Sequence, residues 1–326
     1  MRNKREKEIS LCLTADICNA IFPEHKDMKR WDRIFCAGIA LEERLSEISD
    51  DFGNSPKITW FVRADPMMRR HFGSSTFLFE RYGVHLGRFA SRGHEIGWHP
   101  HLDVRNLKND LRELPDIALK VRDFFPATSV RIGEAYHSTD LMKILDDLDF
   151  SADSTALPGR SNSECRTPFD WSTASSQPYF PDERDYRMAS RARTMNLLEI
   201  PFTMLPIKLS DDRPGPAFRY MNFSYRKEHF LSGVMAKQDW TDVLVGITHP
   251  AELTPPSGFD KAHRLLSFDE NIPSSNIKFL IDRLRSTGAK IRFRTIQNAE
   301  HYVREKENTT ALLIREREVA AIAGRF

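Results

Sequence analysis

Five residues whose side chains can bind a metal or transfer a proton follow short apolar segments of this 326-residue chain. They are Asp16, Asp65, His99, His101 and His249. Histidine and carboxylate side chains serve both as metal ligands and as general acids or bases. If the apolar segments are parallel strands, these side chains meet at one end of the sheet. The set therefore predicts a metal site combined with an acid–base pair.

The densest group of such residues lies in the segment His94-Glu-Ile-Gly-Trp-His-Pro-His-Leu-Asp103. Alternate residues of an extended chain point to the same side, so His99, His101 and Asp103 share a face. Two imidazoles and a carboxylate suit Zn²⁺ or a similar divalent ion and leave a position open for water. A histidine-rich surface turn is the alternative, but three candidate ligands within five residues favour the metal site.

Asp16 and His249 each have a structural explanation as well. Asp16 closes an otherwise apolar segment, where a carboxylate costs free energy unless it is paired or functional, but it also suits a helix N-cap. His249 is also explained as a buried structural histidine. Their shared placement at strand ends favours the functional interpretation of both residues.

The scaffold for these residues is predicted by an alternation of two patterns. Short apolar segments, most of them apolar on both faces, predict the strands of a parallel sheet covered by helices. They cover residues 9–15, 57–62, 94–98, 129–133, 150–153, 197–200, 243–248 and 290–294. Apolar residues at helical spacing predict helices over 31–52, 75–89, 111–125, 138–148 and 274–286. The alternation predicts an α/β barrel of seven or eight parallel strands.

The barrel is expected to occupy residues 1–298 and to be followed by a charged helical extension, 299–326. Residues 157–193, here called the excursion, follow strand five and are too long and too polar for a plain connection. We expect the excursion to fold over the carboxyl ends of the strands.

Composition limits the partners. Lys and Arg number 48 and Asp and Glu 46, so bulk charge does not favour a nucleic-acid partner. No run approaches the roughly 20 apolar residues of a membrane span. Four cysteines without a regular framework favour a reducing compartment, so we expect a cytoplasmic protein with a small-molecule or saccharide substrate.

Several motifs resemble those of the polysaccharide deacetylase (NodB-like) family. The order of Asp16, Gly93-His-Glu-Ile-Gly-Trp-His99, Arg131, Asp170-Trp171 and His249-Pro250 is similar to that family over about residues 9–294. Phe150-Ser-Ala-Asp-Ser154 is, with residues 93–99, the most telling part of this resemblance, and Trp60-Phe-Val-Arg-Ala-Asp65 and Arg219-Tyr-Met-Asn222 resemble a divergent bacterial branch of the family. The resemblance implies a distorted (β/α) barrel that removes acetyl groups from N-acetylated sugars with Zn²⁺ or a similar divalent ion.

The resemblance also implies roles for residues at matching positions. Asp16 matches the general base, Arg131 the arginine that orients it, and His249 the acid that protonates the leaving amine. Asp170 matches the acidic residue of the later Asp-Trp motif, and we assign it to the catalytic set. His99 matches the first metal-binding histidine.

The chain departs from the family pattern at two metal ligands. Ile17 stands where the family has a second Asp, and Asp103 stands where it has a second histidine, with His101 between. We expect His99, His101, Asp65 and Asp103 to bind the metal, with the Cys18 thiolate as a further candidate. Trp98, Trp171 and Tyr179 are candidate sugar-stacking side chains, although each suits the core, and Arg63 and Glu134 at strand ends are candidate substrate contacts.

The expected function is metal-dependent hydrolysis of an amide, as in deacetylation of an N-acetylated sugar or saccharide precursor. Two alternatives stay open at the level of sequence. One is hydrolysis of another C–N bond, in a cyclic ureide or imide, since fold does not fix substrate. The other is a non-catalytic saccharide-binding scaffold, which the missing second Asp motivates.

Overall fold

The computed structural model describes residues 7–19, 26–212, 215–255 and 264–323, with side chains up to residue 309. Fourteen strands and eight α-helices lie in these ranges. The strands are β1 (Lys7–Ile17), β2 (Thr59–Arg63), β3 (Glu95–His99), β4 (Ser129–Val130), β5 (Ala152–Asp153), β6 (Ser161–Asn162), β7 (Phe169–Asp170), β8 (Pro181–Asp182), β9 (Asp185–Ala189), β10 (Leu198–Glu199), β11 (Met204–Pro206), β12 (Phe218–Tyr220), β13 (Val243–Thr248) and β14 (Ala289–Arg294). The helices are α1 (Met28–Leu45), α2 (Pro66–Phe72), α3 (Phe77–Ser91), α4 (Leu107–Phe124), α5 (Thr139–Asp147), α6 (Lys227–Ala236), α7 (Ile272–Arg285) and α8 (Ile296–Ala323).

Eight parallel strands form the main sheet, and each falls on one of the eight predicted strand segments. The order is β10-β5-β4-β3-β2-β1-β13, and β14 also pairs with β1. With helices around it, this sheet makes a curled half-barrel, so the predicted distorted (β/α) barrel is confirmed.

The long strand β1 organises the sheet by pairing with three others. Ser10 to Ala15 pair with β13 along one edge. The other edge is shared, because residues 7–12 pair with β14 and residues 14–17 pair with β2. The carboxyl end of β1, which carries Asp16, therefore lies between the ends of β13 and β2.

Side chains alternate between two apolar layers, as the period of two in a strand requires. On β1, Leu11 and Leu13 pack under the helices, whereas Cys12 belongs to the barrel interior. On β2, Trp60 faces the helices and Phe61 faces the interior. Both faces of the sheet are thus buried, which explains the continuous apolar runs in the sequence.

The gap between β10 and β13 is bridged by irregular backbone. The amide of Thr203 donates to the carbonyl of Val245 at 3.0 Å, and the amide of Ile247 donates to the carbonyl of Met221 at 2.9 Å. The second of these bonds places the segment that follows Tyr220 of β12 beside the carboxyl end of β13.

The excursion forms two short hairpins, β6 with β7 and β8 with β9. The C-terminal helix α8 begins at Ile296, and Ile296 and Ala299 are buried in the interior cluster. Residues 324–326 of the predicted extension lie outside the described residues. Of the helices within the described ranges, none has the length and hydropathy that a membrane crossing requires.

Candidate active site

Asp16 lies at the carboxyl end of β1 and is paired with Arg131. Nη1 of Arg131, one residue beyond β4, donates to Oδ1 of Asp16 at 2.8 Å, and both side chains are buried. The guanidinium also donates to the Thr14 hydroxyl at 2.8 Å and to the Ser154 carbonyl at 2.8 Å. The rings of Phe61 and Phe202 lie 4.3 and 4.2 Å from its carbon. Arg131 is therefore held on all sides and fixes the orientation of Asp16.

His249 follows β13 and is paired with the buried carboxylate of Glu252. Nδ1 of His249 donates to Oε1 of Glu252 at 3.1 Å, and the side chain of Asn222 donates to the same oxygen at 2.9 Å. Nε2 of His249 points the other way and lies 3.8 Å from Oδ2 of Asp16. Nε2 is therefore the ring nitrogen that faces Asp16.

These surroundings shift the pKa values of the two groups in opposite directions. Burial alone raises the pKa of Asp16, but the attraction of Arg131, His99 and His249 outweighs it, so that this pKa lies below its ordinary value. Burial alone lowers the pKa of His249, but Glu252 and Asp16 outweigh it and raise this pKa above its ordinary value. These shifts favour the ionised form of Asp16 and extend to higher pH the range over which His249 keeps its proton.

His99 and His101 lie beside this pair and point their ring nitrogens at each other. The two Nε2 atoms are 3.0 Å apart, and Nε2 of His99 is 3.7 Å from Oδ2 of Asp16. Nδ1 of His99 donates to the carbonyl of Arg131 at 2.7 Å. Burial lowers the pKa of His99, which favours the neutral ring with a free lone pair on Nε2.

Cys18 completes a set of three donors with the two histidines. One ligand atom each from Cys18, His99 and His101 lie within 4.8 Å of one another, and all three residues are buried. Two nitrogens bound to zinc at about 2.0–2.1 Å with tetrahedral angles would be ~3.3 Å apart, close to the observed spacing. Metal-binding histidines also donate their other N–H to a carbonyl, as His99 does. The donor set fits a borderline divalent ion such as Zn²⁺.

Gly133 makes room for one of these ligands. A Cβ at position 133 would lie 2.3 Å from the ring of His101, so any larger residue would displace that ring. The next residue, Glu134, has a positive φ of 57° and turns its Oε1 to within 4.0 Å of Nδ1 of His101. The Thr167 hydroxyl donates to the other oxygen of Glu134. The turn after β4 therefore supports His101 from behind.

Two predicted metal ligands lie outside this donor set. The carboxylate of Asp65 caps α2 by accepting from the amide of Met68 at 2.8 Å, and it is paired with Arg63 at 2.6 Å. Its Oδ2 also accepts from the backbone amide of His101 at 3.2 Å, so Asp65 supports the ligand loop. Asp103 caps the turn that precedes α4 and is paired with Arg105 at 3.1 Å.

Asp170 does not line the cavity that contains Asp16 and His249. It lies on β7 in the excursion, where its carboxylate accepts from Arg187 and from the hydroxyl of Ser172 at 2.6 Å.

The three predicted stacking residues are buried in the core, where each donates to a backbone carbonyl. Trp98 donates to Ala64 at 2.8 Å, Trp171 to Ala135 at 2.9 Å, and Tyr179 to Tyr186 at 3.1 Å. Their rings consequently have no face open to substrate. Of the two predicted substrate contacts at strand ends, Arg63 is buried against Asp65, whereas Glu134 lines the cavity.

A cavity of about 250 Å³ opens over these groups. It contains Asp16, His249 and the three candidate metal donors, and its other walls are largely apolar. The lining residues are Asp16, Cys18, His99, His101, Arg131, Ile132, Glu134, Ala135, Thr155, Leu157, Arg160, Phe169, Phe202, Tyr220, Ile247 and His249. Leu157, Arg160 and Phe169 belong to the excursion, which thus forms one wall.

Comparison by sequence finds no matching protein-family model and no matching curated protein. Comparison by structure finds a "putative polysaccharide deacetylase" from Mycobacterium smegmatis, with a TM-score of 0.54 and 14% identity over 94% of each chain. At this identity the likeness shows the fold alone: the chain shares the barrel of that protein.

Two further solved structures align with lower scores. One is a "putative polysaccharide deacetylase involved in O-antigen biosynthesis" from Bordetella bronchiseptica, with a TM-score of 0.37 and 12% identity over 84% of this chain and 90% of that one. The other is the 4-alpha-glucanotransferase of Thermococcus litoralis, with a TM-score of 0.46 and 11% identity over 89% of this chain and 40% of that one.

Proposed function

We propose that this protein is a metal-dependent amide hydrolase that removes the acetyl group from an N-acetylated sugar or saccharide precursor. The observation that carries the proposal is the meeting of Asp16 with His249 beside a three-donor metal site in one cavity. Amide hydrolysis needs a base for water, an acid for the leaving amine and stabilisation of the carbonyl oxygen. The cavity contains a candidate for each requirement.

Asp16 is the proposed base. Its carboxylate stays ionised because Arg131 donates to Oδ1, while Oδ2 faces the Nε2 atoms of His99 and His249. A water held near Oδ2 would lose its proton to this oxygen as it attacks the acetyl carbon. The fixed guanidinium keeps the carboxylate from rotating, so the receiving oxygen is already oriented.

His249 is the proposed acid. Nε2 carries the proton, and the bond from Nδ1 to Glu252 keeps the ring positively charged and oriented. The leaving nitrogen of the substrate would take this proton as the C–N bond breaks. Without it the amine would leave as an unstable anion, so the step depends on the raised pKa of His249.

Cys18, His99 and His101 are the proposed metal ligands. A divalent ion at these donors would supply Lewis acidity towards the amide carbonyl. The thiolate and the imidazoles favour a borderline ion such as Zn²⁺ over Mg²⁺ or Ca²⁺, which prefer oxygen ligands. Asp65 and Glu134 hold the His101 loop in place.

The size of the cavity favours a small substrate. A volume of about 250 Å³ is below the ~300–1,000 Å³ that is usual for ligand pockets. We therefore propose a single sugar unit as the group that enters, rather than several units of a polymer.

An assay for released acetate tests the proposal. Zinc-loaded protein is incubated with a panel of N-acetylated monosaccharides and their phosphorylated forms, and formation of the ring-opened acid is measured in parallel with cyclic ureides. We expect acetate release, and a loss of about 10²-fold or more in Asp16→Asn. Asp116→Asn, an exposed substitution on α4, is the matched control. Ring opening of ureides without any release of acetate, or full activity of Asp16→Asn, would overturn the proposal.

A further inference from the structure

Arg160 lines the catalytic cavity but has no part in the proposed mechanism. It belongs to the excursion and lies next to β6, and its side chain reaches the same cavity as Asp16 and His249. The sequence places it in a loop with no motif around it. It is a cation in the wall of a cavity whose other charged groups are already paired.

The guanidinium of Arg160 has no anionic partner within the described residues. The ring of Phe169 lies 5.9 Å from the guanidinium carbon. Arg131, the other arginine that lines the cavity, does have an anionic partner, because it is paired with Asp16. Glu134, the other carboxylate in the wall, is turned towards His101 and Thr167. A cation in a partly apolar wall is stabilised when an anion binds beside it, because its charge is then paired.

The backbone that carries Arg160 is held firmly. Leu157 to Arg160 form a turn closed by the amide of Arg160 donating to the carbonyl of Leu157 at 3.0 Å. Pro158 at the second position and Gly159 at the third, with a φ of 78°, match the type II turn. The amide of Trp171 then donates to the carbonyl of Arg160 at 2.7 Å. The buried Trp171 ties this turn to the loop after β4 through the carbonyl of Ala135.

The neighbours of Arg160 suit a sugar ring. Phe169 and Tyr220 line the same cavity, and the phenol of Tyr220 lies close enough to Arg160 for the guanidinium to lower its pKa, although burial dominates and raises it. Apolar ring faces next to one cation are typical of sites for a sugar that carries an acidic group, because the ring packs while the charge is paired.

We infer that Arg160 binds an anionic group, a carboxylate or a phosphate ester, on the sugar that enters the cavity. This inference rests on the proposed function for the identity of the sugar as substrate. It narrows the substrate class to acidic or phosphorylated N-acetylated sugars. Arg160 is a specificity-determining residue that contacts the part of the substrate remote from the amide.

Titration calorimetry with sugars that lack an acetyl group tests the inference apart from catalysis. Glucose, glucose 1-phosphate and glucuronate are the probes, and the proteins are wild type, Arg160→Gln, Arg160→Lys and Arg184→Gln. Arg184 is an exposed arginine between β8 and β9 of the same excursion, outside the cavity lining, and serves as the matched control. Circular dichroism establishes that each variant is folded.

We expect at least one anionic sugar to bind about 10-fold or more tightly than glucose, since a charge-assisted hydrogen bond to arginine is lost in glucose. Arg160→Gln should remove this preference, Arg160→Lys should keep part of it, and Arg184→Gln should keep all of it. Tighter binding of glucose 1-phosphate would identify the anionic group as a phosphate ester, and tighter binding of glucuronate would identify it as a carboxylate. Equal binding of all three sugars, or a preference that survives in folded Arg160→Gln, would overturn the inference.

Failure of the proposed function gives a different result. If the anionic preference depends on Arg160 but no acetylated sugar releases acetate, the binding site stands and the deacetylase proposal fails. If neutral N-acetylated sugars release acetate with the same kcat/KM as acidic ones, and Arg160→Gln changes neither, the deacetylase proposal stands and the inference fails.

Discussion

Oδ2 of Asp16 lies 3.8 Å from Nε2 of His249, and the two side chains face each other from neighbouring strands. Each is held from behind by a partner of opposite charge, Arg131 for Asp16 and Glu252 for His249. The two partners come from different elements, so each can be changed without removing the other. The proposed base and the proposed acid can therefore be altered independently by mutation of their partners.

Glu252→Gln is expected to shift only the alkaline limb of the pH profile. Glu252 raises the pKa of His249, so the proton needed by the leaving group persists to higher pH in the wild type. Gln keeps an oxygen for the bond from Nδ1 but removes the charge, so the pKa of His249 falls. In kcat/KM against pH the alkaline limb should move to lower pH while the acid limb stays in place.

Glu228→Gln on the exposed face of α6 is the control for this experiment and should leave both limbs unchanged. A folded Glu252→Gln variant with an unmoved alkaline limb would show that Glu252 does not set the proton affinity of the catalytic acid.

The metal site predicts a spectroscopic difference between two cysteine variants. Cobalt-loaded wild type should show a thiolate-to-cobalt charge-transfer band, because Cys18 is one of the three donors. Cys18→Ser should lose the band and bind cobalt more weakly, while Cys36→Ser, at an exposed cysteine, should match wild type. The double variant His99→Ala with His101→Ala should retain no ion. An unchanged spectrum in Cys18→Ser would remove the thiolate from the ligand set.

The scaffold was largely readable in the sequence because strands buried on both faces give unbroken apolar runs. Each of the eight such runs lies in the main sheet, and strand-end residues such as Asp16 and His249 meet as parallel topology requires. Strand ends were less readable: β4 was predicted over 129–133 but pairs only at Ser129 and Val130, since Arg131 turns into the site.

The direction of individual side chains could not be read from the sequence. Trp98 and Trp171 are equally suited to a sugar and to a core, and only packing decides between them. Asp65 carried a usable signal, because Asp followed by Pro66 is typical of a helix N-cap, and α2 starts there. Cys18, one residue beyond β1, is already a candidate ligand in the sequence. Glu252 lies three residues after His249, but no composition rule singles it out.

Gly133→Ala is expected to weaken metal binding more than it weakens the fold. The added Cβ would lie 2.3 Å from the ring of His101, which must shift from its position beside His99 and Cys18. Metal retained after dialysis against a weak chelator should fall several-fold. In the control Gly87→Ala on α3 the new Cβ has no neighbour within 4 Å, so metal content should be unchanged and stability equal or higher. Full metal retention in Gly133→Ala would show that the ring has room to adapt.

Asp50 is expected to contribute stability that is lost in acid. Its carboxylate accepts from the amides of Phe52, Asn54 and Phe293 at 2.9, 2.8 and 3.1 Å. Burial alone raises the pKa of Asp50, but these bonds outweigh it and lower the pKa below its ordinary value. A lowered pKa means that the stabilisation is present above the pKa of the unfolded chain and is lost as pH falls through the folded value.

Urea unfolding of Asp50→Asn checks this expectation. The free energy of unfolding should drop by about 1–3 kcal/mol at pH 7, because the new amide group faces a donor. The difference from wild type should shrink towards pH 3. Asp116→Asn, exposed on α4, should show neither effect. A difference that is constant over pH would assign the loss to shape rather than to charge.

Glu199 on β10 is expected to be neutral in the folded protein. Its Oε1 accepts from the amides of Thr155 and Ala156 at 3.2 and 2.9 Å, while Oε2 is buried without a hydrogen-bond partner among the described residues. Burial and the nearby Asp153 raise the pKa of Glu199 well above its ordinary value. Asp153 is paired with His137 at 2.7 Å, whereas no cation among the described residues is paired with Glu199.

A raised pKa reverses the dependence on pH that holds for Asp50. The folded state binds a proton that the unfolded chain releases above about pH 4.3, so stability is fully present below that pH and declines as pH rises towards the folded pKa. Glu199→Gln imitates the protonated group and keeps its acceptor oxygen. Its free energy of unfolding should therefore match or exceed that of wild type at pH 7, with an advantage that grows as pH rises until the folded pKa is passed. Urea midpoints at pH 5, 7 and 9 measure this, with the exposed Glu183→Gln as control. A Glu199→Gln variant that is instead less stable than wild type by the same amount at every pH would show that the carboxyl group is ionised in the fold. Arg131, which also binds Asp16, would then be the cation that compensates the charge of Glu199.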